Sequence, residues 1–337
     1  MMSPIEINFA QLNLQTLYPV FITTLGALAV LVIDLIKTPT KTFNAMFSVA
    51  IVLLALYTLL GTQINQIGFF GMITTDAPAI IGQAIILVAS ALFLPLSLTS
   101  QRFHEYEYSE FFALFLFMVT GFQVMVSTDN IILMFISLET ASLALYTLIA
   151  MHNRDRSIEA AIKYFTMGAL AAGFFAFGGA LFYLATGSVN LTESYAAIEA
   201  SGVKNYEALL IALVFLIGAI GFKLSIVPLH TWTPDVYEGA SAPLAGYMSI
   251  VPKIATFVLA LRLFEYLVSI DVEWIKTMLW IAAVTTMTIG NILALVQESV
   301  KRMLAFSSIS HAGFGLAAIL IATNEANTAL FMYWALF

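Results

Sequence analysis

Residues 221–255 read GFKLSIVPLHTWTPDVYEGASAPLAGYMSIVPKIA, a largely apolar sequence that contains two lysines and four prolines. Lys223 and Lys253 stand in otherwise apolar or small surroundings, and Pro228 and Pro252 lie close to them. A proline has no backbone N–H, so each of these two leaves a carbonyl one helical turn earlier without its usual donor. The stretch therefore predicts interrupted helices that carry a charge beside the interruption.

The composition of the whole chain is that of a membrane protein. Of its 337 residues, 61% are hydrophobic and 10% are charged, whereas an ordinary soluble domain is about 25% charged. The chain contains no cysteine, which excludes disulfides and cysteine-ligated iron–sulfur clusters within it. The formal net charge of −7 and the lack of a basic run argue against nucleic acid as a partner.

Apolar stretches long enough to cross a bilayer recur along the chain, since a span needs about 20 apolar residues. Near-continuous apolar runs favour helices over barrel strands, which alternate over about ten residues. We therefore predict an all-α polytopic membrane protein with about ten complete spans and the start of an eleventh near residue 326. The ten predicted spans are 16–36, 43–61, 78–99, 109–127, 130–150, 160–186, 207–229, 241–268, 274–297 and 302–322.

The N-terminal segment and the C-terminal apolar run each lead to one expectation about the chain. The N-terminal text MMSPIEINFAQLNLQ lacks the basic region of a cleavable signal, so the first apolar segment is expected to be a retained span. The last residue, Phe337, stands in the middle of an apolar run. A span of about 20 residues cannot be completed there, so we expect either that the native chain continues or that a partner supplies the rest.

The distribution of lysine and arginine predicts the orientation, because cytoplasmic loops carry the excess of these residues. Eight of them follow odd-numbered spans and three follow even-numbered ones, when the two lysines within spans are set aside. The first group is Lys37, Lys41, Arg102, Arg154, Arg156, Lys163, Lys301 and Arg302, and the second is Lys204, Arg262 and Lys276. The odd loops are therefore predicted to be cytoplasmic and the N-terminus periplasmic.

Three charged residues stand at bilayer depth, where a charge at a helix centre costs about 2.5–3.5 kcal/mol or more. Glu139 lies in MFISLETASLALYTL, Lys223 in LIGAIGFKLSIVPLH and Lys253 in GYMSIVPKIATFVLA. None of them is near enough to a span end to reach water easily. One reading is a fixed buried ion pair that sets helix packing. The surplus lysine and the neighbouring prolines favour the other reading, an ion or proton pathway.

Two histidines extend this set. His230 lies in VPLHTWTPDVYEG, and His311 lies in SSISHAGFG within the tenth span. Histidine titrates near neutral pH and can relay protons, although a hydrogen-bonded core histidine is the plainer interpretation of either one alone. Together with the buried carboxylate and lysines they favour a relay. The set is too scattered in sequence to predict a metal site.

Other polar residues near span ends receive a structural interpretation. Asp34 and Arg262 are expected to anchor span ends at the interface, and Lys163 either does the same or reaches inward. His104 and His152 lie in loops and are assigned no role. The sixth span repeats a small residue every four positions, which predicts close helix packing. The repeated residues are Gly168, Ala172, Ala176 and Ala180.

Three motifs resemble one known family. The stretch 221–255, the block EAAIKYFTMGALAAGFFAFGGALFYLATG (159–187) and the block GNILALVQESVKRMLAFSSISHAGF (290–314) are similar to the antiporter-like proton-channel subunits of complex I, the NADH:quinone oxidoreductase. The resemblance runs from about residue 76 to the end and is looser over the first two spans. The PDVYEGA text after HTW is typical of one branch of that family.

The resemblance implies an antiporter-like fold of fourteen spans, with inverted repeats over spans 4–8 and 9–13 and a broken seventh helix. It divides this chain into three N-terminal helices (1–105), a first repeat (106–268) and an incomplete second repeat (269–337). It also implies a proton path through five matched positions, while the family's ionisable residue on the twelfth span has no counterpart here. The matched positions are Glu139, Lys223, Lys253, His230 and His311.

The resemblance further implies a translocase subunit of the bacterial inner membrane that does no redox chemistry and binds no cofactor itself. NADH, FMN, iron–sulfur clusters and quinone belong to other subunits of such a complex. A neighbouring antiporter-like subunit, small membrane subunits and the lipid bilayer are the expected partners. Three alternatives remain at this point: a cation/proton antiporter subunit of the Mrp type, a structural subunit with fixed ion pairs, and a quinone-binding redox enzyme.

The orientation can be tested with two reporter fusions. A reporter placed after Arg156 should report from the cytoplasm and one placed after Lys204 from the opposite side, because the positive charges concentrate in the odd loops. Paired alkaline phosphatase and fluorescent-protein fusions distinguish the two compartments. A periplasmic signal at Arg156 together with a cytoplasmic one at Lys204 would reverse the assignment.

Overall fold

The computed structural model describes residues 11–99, 104–202, 205–269 and 273–337, and within these ranges the chain is almost entirely helical. Ten of the described helices are long and apolar enough to cross a membrane. These ten are α1 (Tyr18–Ile36), α2 (Lys41–Leu60), α3 (Ala77–Thr99), α4 (Ser109–Ser127), α5 (Ile131–Ala150), α6 (Asp155–Thr186), α8 (Tyr206–Leu224), α10 (Ala242–Ser269), α11 (Glu273–Leu295) and α12 (Val300–Ile321). The shorter helices are α7 (Leu191–Ser201), α9 (Trp232–Gly239) and α13 (Asn324–Leu336).

The ten predicted spans are confirmed, each by one long helix. The expected eleventh span begins as α13 at Asn324, two residues before the predicted position. Two of the cations used for the orientation, Arg102 and Lys204, and the first ten residues lie outside the described ranges.

Two elements of the described chain were not predicted from the sequence. A two-stranded antiparallel hairpin, β1 (Ile67–Gly68) and β2 (Ile73–Thr74), closes the connection between α2 and α3. Helix α7 follows the sixth span, and the Asn190 side chain caps its first turn by accepting from the Glu193 amide. Its 11 residues are too few to cross a bilayer.

The predicted break in the seventh span is confirmed, and its geometry places Lys223 in the last turn before the break. Helix α8 ends at Leu224, five residues before the predicted end, because Ser225 adopts a left-handed conformation with φ 63°. The amides of Ser225 and Ile226 then donate back to the carbonyls of Phe222 and Gly221, at 3.0 and 2.8 Å. This is the Schellman arrangement, which commonly precedes a proline. The chain resumes as a helix only at α9.

Pro252, in contrast, leaves α10 unbroken. The carbonyl of Met248 loses the donor that Pro252 would have supplied, and the Tyr237 hydroxyl donates to it instead at 3.0 Å. The interruption predicted at Pro252 is therefore wrong, because this tertiary hydrogen bond satisfies the freed carbonyl within a continuous helix. The donor comes from α9, the short helix that follows the break.

The central helices of the bundle are buried, and its outer surface is apolar. Helices α4 and α10 are the most deeply buried of the ten spans, and α11 is among the most exposed. Large apolar side chains such as Leu35, Leu60 and Leu295 are exposed on the outer helices. Exposed apolar surface of this extent suits a bilayer, whose acyl chains are as apolar as leucine.

The close packing predicted for four small residues of the sixth span is found for two of them. Gly168 and Ala172 are buried, and a Cβ at Gly168 would meet the Tyr146 hydroxyl. Ala176 and Ala180 are exposed. Four residues advance a helix by 1.1 turns at 3.6 residues per turn, so the stripe drifts around α6 and its second half leaves the packed face.

Replacing Gly121 by Ala tests the packing of α4 on α5. The added Cβ would lie 2.7 Å from the Ala141 nitrogen and 2.9 Å from its Cβ, which is too close. Overpacking of this kind costs about 1–3 kcal/mol, so the thermal midpoint of the purified protein and its abundance in membranes should fall. Gly173→Ala, where nothing lies within 4 Å, is the matched control and should change neither. Equal behaviour of the two variants would contradict this packing.

Candidate functional site

The side chain of Lys223 is buried and bonded to hydroxyl groups. Its Nζ donates to the Ser142 Oγ at 2.6 Å and to the Tyr146 hydroxyl at 3.4 Å, both on α5. Among the described residues no carboxylate forms an ion pair with it. A hydroxyl both donates and accepts, so the ammonium is solvated by groups that can pass a proton on.

Aromatic rings complete the surroundings of Lys223. The rings of Tyr164, Tyr146 and Phe222 have their centroids 5.6, 5.7 and 5.8 Å from Nζ. Trp232, the first residue of α9, stacks on Tyr164 with ring centroids 4.3 Å apart and an interplanar angle of 6°. Cation–π attraction stabilises a desolvated ammonium by about 2 kcal/mol. The rings thus compensate part of the cost of burying this charge and exclude lipid from it.

Glu139 lies near Lys223 without touching it. It shares one face of α5 with Ser142 and Tyr146, which follow it by three and seven residues. Its Oε1 is buried and has no hydrogen-bond partner in the described part of the chain. The arrangement is therefore not a fixed ion pair in contact. The carboxylate can tune the lysine from a distance.

Lys253 is the more deeply buried lysine, with 2% of its surface exposed. Its Nζ donates to the backbone carbonyl of Ser308 on α12. No carboxylate pairs with it among the residues that the structure describes. The second lysine is thus also held by a neutral oxygen, on a helix different from the one that holds the first.

One histidine packs against α12 and the other belongs to it. His230, in the linker between α8 and α9, has its ring centroid 6.4 Å from that of Phe306, and its Nδ1 has no partner among the described residues. His311, one turn after Ser308, is hydrogen-bonded to the Tyr333 hydroxyl of α13. Its ring also packs 4.7 Å from that of Phe337.

The five predicted site residues thus fall into two groups. Glu139 belongs to α5, and Lys223 bonds to residues of α5. Lys253 bonds to α12, His311 belongs to α12, and His230 packs against Phe306 of the same helix. Within the described ranges none of the five hydrogen-bonds to another. A proton moving among them therefore needs intermediate groups.

A cluster of charges that the sequence did not reveal surrounds α9. Asp235 accepts from Lys163 at 3.0 Å and from Arg302 at 2.7 Å, and Glu238 accepts from Arg302 at 3.1 Å. Lys163 also pairs with Glu159 at 2.7 Å, so it acts neither as a lone anchor nor as an inward-reaching charge. The partners are 67 to 72 residues apart in the chain for Asp235, which periodicity cannot detect.

Two further pairs correct the sequence interpretation. Arg262 does not simply anchor a span end, because its side chain is 7% exposed and binds Asp76 at 2.8 Å and Asp129 at 2.5 Å. His152, to which no role was given, is buried and lies 3.0 Å from the Glu105 carboxylate. The missed information is tertiary, since each pair joins segments that are distant in sequence.

Sequence comparison identifies the family to which this arrangement belongs. The profile of the family described as "NADH:quinone oxidoreductase/Mrp antiporter, TM" matches residues 128–337. The "NADH-quinone oxidoreductase subunit N" of Sulfurimonas denitrificans is 57% identical over 344 residues, which cover 100% of this chain and 68% of that protein.

Solved structures show the same fold. A chain of respiratory complex I from Thermus thermophilus aligns with a TM-score of 0.79 and 30% identity over 94% of this chain and 66% of that one. A chain of the Mrp complex from Dietzia sp. aligns with a TM-score of 0.77 over 96% of this chain and 62% of its own length, but at 20% identity it shows a common fold alone. This chain thus spans about two thirds of the length of its relatives. The family match and the identity across the whole chain show that it belongs to the subunit N branch of the antiporter-like membrane subunits of NADH:quinone oxidoreductase.

Proposed function

We propose that this chain carries protons across the membrane within NADH:quinone oxidoreductase, with Lys223 and Lys253 as successive carriers. The observation that supports this most directly is the contact set of Lys223, a buried ammonium that bonds to two hydroxyls and to no carboxylate among the described residues. Glu139 modulates the first carrier, and His230 and His311 serve the second. The same proposal divides the chain into three N-terminal helices (residues 1–105), a first repeat (106–268) and a partial second repeat (269–337).

The mechanism is electrostatic. Burial favours the neutral form of a lysine, and a nearby carboxylate favours the charged form. At an effective dielectric constant of 20, two unit charges interact by about 4 kcal/mol at 4 Å and about 2 kcal/mol at 8 Å. A movement of that size between Glu139 and Lys223 changes the protonation equilibrium of the lysine about 30-fold. Lys223 then releases its proton toward Lys253.

The energy for this movement comes from elsewhere in the complex. Moving one charge through the membrane potential costs about 2.3 kcal/mol per 100 mV, which is close to the electrostatic change available at one lysine. Two carriers in series divide that work. The redox groups that release the energy (NADH, FMN, iron–sulfur clusters and quinone) are assigned to other subunits, so this chain takes part in a translocase without redox chemistry of its own.

The proposal places the chain among other membrane subunits in the bacterial inner membrane, with its odd loops in the cytoplasm. A neighbouring antiporter-like subunit and small membrane subunits pack against it there. The Mrp alternative is less well supported, because the likeness to the Mrp chain is one of fold while the 57% identical relative is a subunit N. A scaffold of fixed ion pairs conflicts with Lys223 and Glu139, neither of which forms an ion pair within the described ranges.

A double-mutant cycle at Lys223 and Glu139 separates the proton path from a scaffold. Lys223→Ala and Glu139→Gln should each depress proton pumping and quinone reduction together at normal subunit abundance, because a blocked pump retards a coupled redox reaction. Breaking a structural buried pair would instead cost about 3–5 kcal/mol and reduce assembly. Glu207→Gln, at the exposed start of α8, is the control. A double variant that restores both abundance and pumping would show scaffolding.

Ser142→Ala tests the hydroxyl contact of Lys223. A hydrogen bond to a charged group contributes about 1.5–3 kcal/mol, so its removal should slow pumping by about tenfold or more while the subunit still assembles. Thr140→Val on the same helix is the control, since the exposed Thr140 hydroxyl bonds only to its own helix, at the Ile136 carbonyl. Pumping is measured as acidification of inverted vesicles driven by NADH. Native pumping in Ser142→Ala would remove this residue from the path.

A further inference from the structure

Helix α9 contacts the surroundings of both lysines. At its start, the Trp232 indole N–H donates to the Phe222 carbonyl at 3.0 Å, one residue before Lys223, and the ring stacks on Tyr164. Five residues later the Tyr237 hydroxyl donates to the Met248 carbonyl at 3.0 Å, five residues before Lys253. Any displacement of this short helix therefore changes the geometry at both sites.

Asp235 stands between these two aromatic residues and is held from two sides. Lys163 of α6 and Arg302 of α12 donate to its two carboxylate oxygens, at 3.0 and 2.7 Å. The two cations lie on helices that form the lysine sites. Lys163 precedes Tyr164, a ring of the Lys223 site, and α12 also carries Ser308, the acceptor of Lys253.

Several other hydrogen bonds anchor the end of α9 to the neighbouring helices, so this segment is not a loose linker. The Lys301 ammonium donates to the carbonyls of Glu238 and Ala240, at 3.2 and 2.7 Å. The Ser157 hydroxyl donates to the Gly239 carbonyl at 2.7 Å. Glu238 also binds cations of both neighbouring helices, Arg156 of α6 at 3.9 Å and Arg302 of α12 at 3.1 Å. Asp235 differs from all of these contacts because it lies between the two aromatic residues of α9 in the sequence.

The energetic contribution of Asp235 to the fold is expected to be small. The side chains of Asp235, Arg302 and Lys163 are 36%, 32% and 43% exposed. Ion pairs of this exposure contribute only about 0–1 kcal/mol each to stability. A conspicuous effect of this residue on pumping would therefore have to come from positioning.

We propose that Asp235 is a positioning residue that acts through α9 to couple the geometry of the Lys223 site to that of the Lys253 site. Its ion pairs with Lys163 and Arg302 fix the helix so that Trp232 and Tyr237 move together. A change at one lysine is thereby transmitted to the other. This inference rests on the proposed proton path through the two lysines.

Asp235→Asn in the whole complex is the first test. The variant should assemble at native abundance and pump about 2- to 30-fold more slowly per assembled complex, which is the range for residues that transmit coupling. Glu159→Gln is the matched control, because Glu159 binds the same Lys163 at 2.7 Å but belongs to α6. The control should pump as the native protein does. Equal losses in the two variants, or native pumping by Asp235→Asn, would overturn the proposal.

A double-mutant cycle provides a measurement that a merely structural role would not change. Ser142→Ala perturbs the Lys223 site and Tyr237→Phe removes the hydroxyl bonded to the Met248 carbonyl near Lys253. In the native background their combined effect on the pumping rate should differ from the product of the separate effects, since coupled sites are not additive. In the Asp235→Asn background it should equal that product. Additivity in the native background would overturn the coupling.

Two further variants cover the remaining outcomes. Should Asp235→Asn be lost from membranes, Asp235→Glu keeps the charge and moves it by one methylene, and its native pumping rate at native abundance would overturn the positioning role. Lys223→Ala in the same assay tests the proton path itself. If Lys223→Ala blocks pumping while Asp235→Asn does not, the proposed function stands and the inference fails. If Lys223→Ala pumps normally, both fail.

Discussion

The structure depends on the burial of two ammonium groups that have no carboxylate in contact in the described part of the chain. A charge in the hydrocarbon region costs at least several kcal/mol unless its donors are satisfied. At Lys223 the compensation comes from the Ser142 and Tyr146 hydroxyls and from aromatic faces. At Lys253 it comes from a backbone carbonyl. Among the described residues, neutral oxygens and aromatic faces thus take the place that a carboxylate has in an ion pair.

Arg262 of the same fold, in contrast, has its charge paired with carboxylates. Arg262 binds two carboxylates, donates also to the Val126 carbonyl at 2.9 Å, and ties α10 to the segments that precede α3 and α5. An arginine keeps its proton under all ordinary conditions, so such a group is suited to a permanent bridge. The lysines exchange protons more readily, and the described structure leaves them without a permanent counter-charge.

The interruption after Leu224 makes room for a short helix between the two lysine sites. A continuous seventh span would carry Lys223 in mid-helix and leave no short segment between the lysine sites. The Schellman turn at Ser225 ends α8 immediately after the lysine, and α9 then returns with Trp232 against one site and Tyr237 against the other. The freed Met248 carbonyl becomes an attachment point for this short helix. Pro252 thus removes one hydrogen bond within α10, and the freed carbonyl accepts a tertiary hydrogen bond from α9 instead.

The ten spans, the interrupted seventh helix and the depth of Lys223 and Lys253 could be predicted from the sequence, because apolar length, proline chemistry and the cost of a buried charge are local properties. The motifs also indicated the family. The groups that contact these charges became known from the folded structure: Ser142, Tyr146 and Tyr164 at one lysine, and the Ser308 carbonyl at the other. It alone showed that Asp235 joins Lys163 to Arg302 and that Arg262 is paired. These partners are 55 to 186 residues apart in the chain, and periodicity within a helix carries no information about which face of another helix it meets.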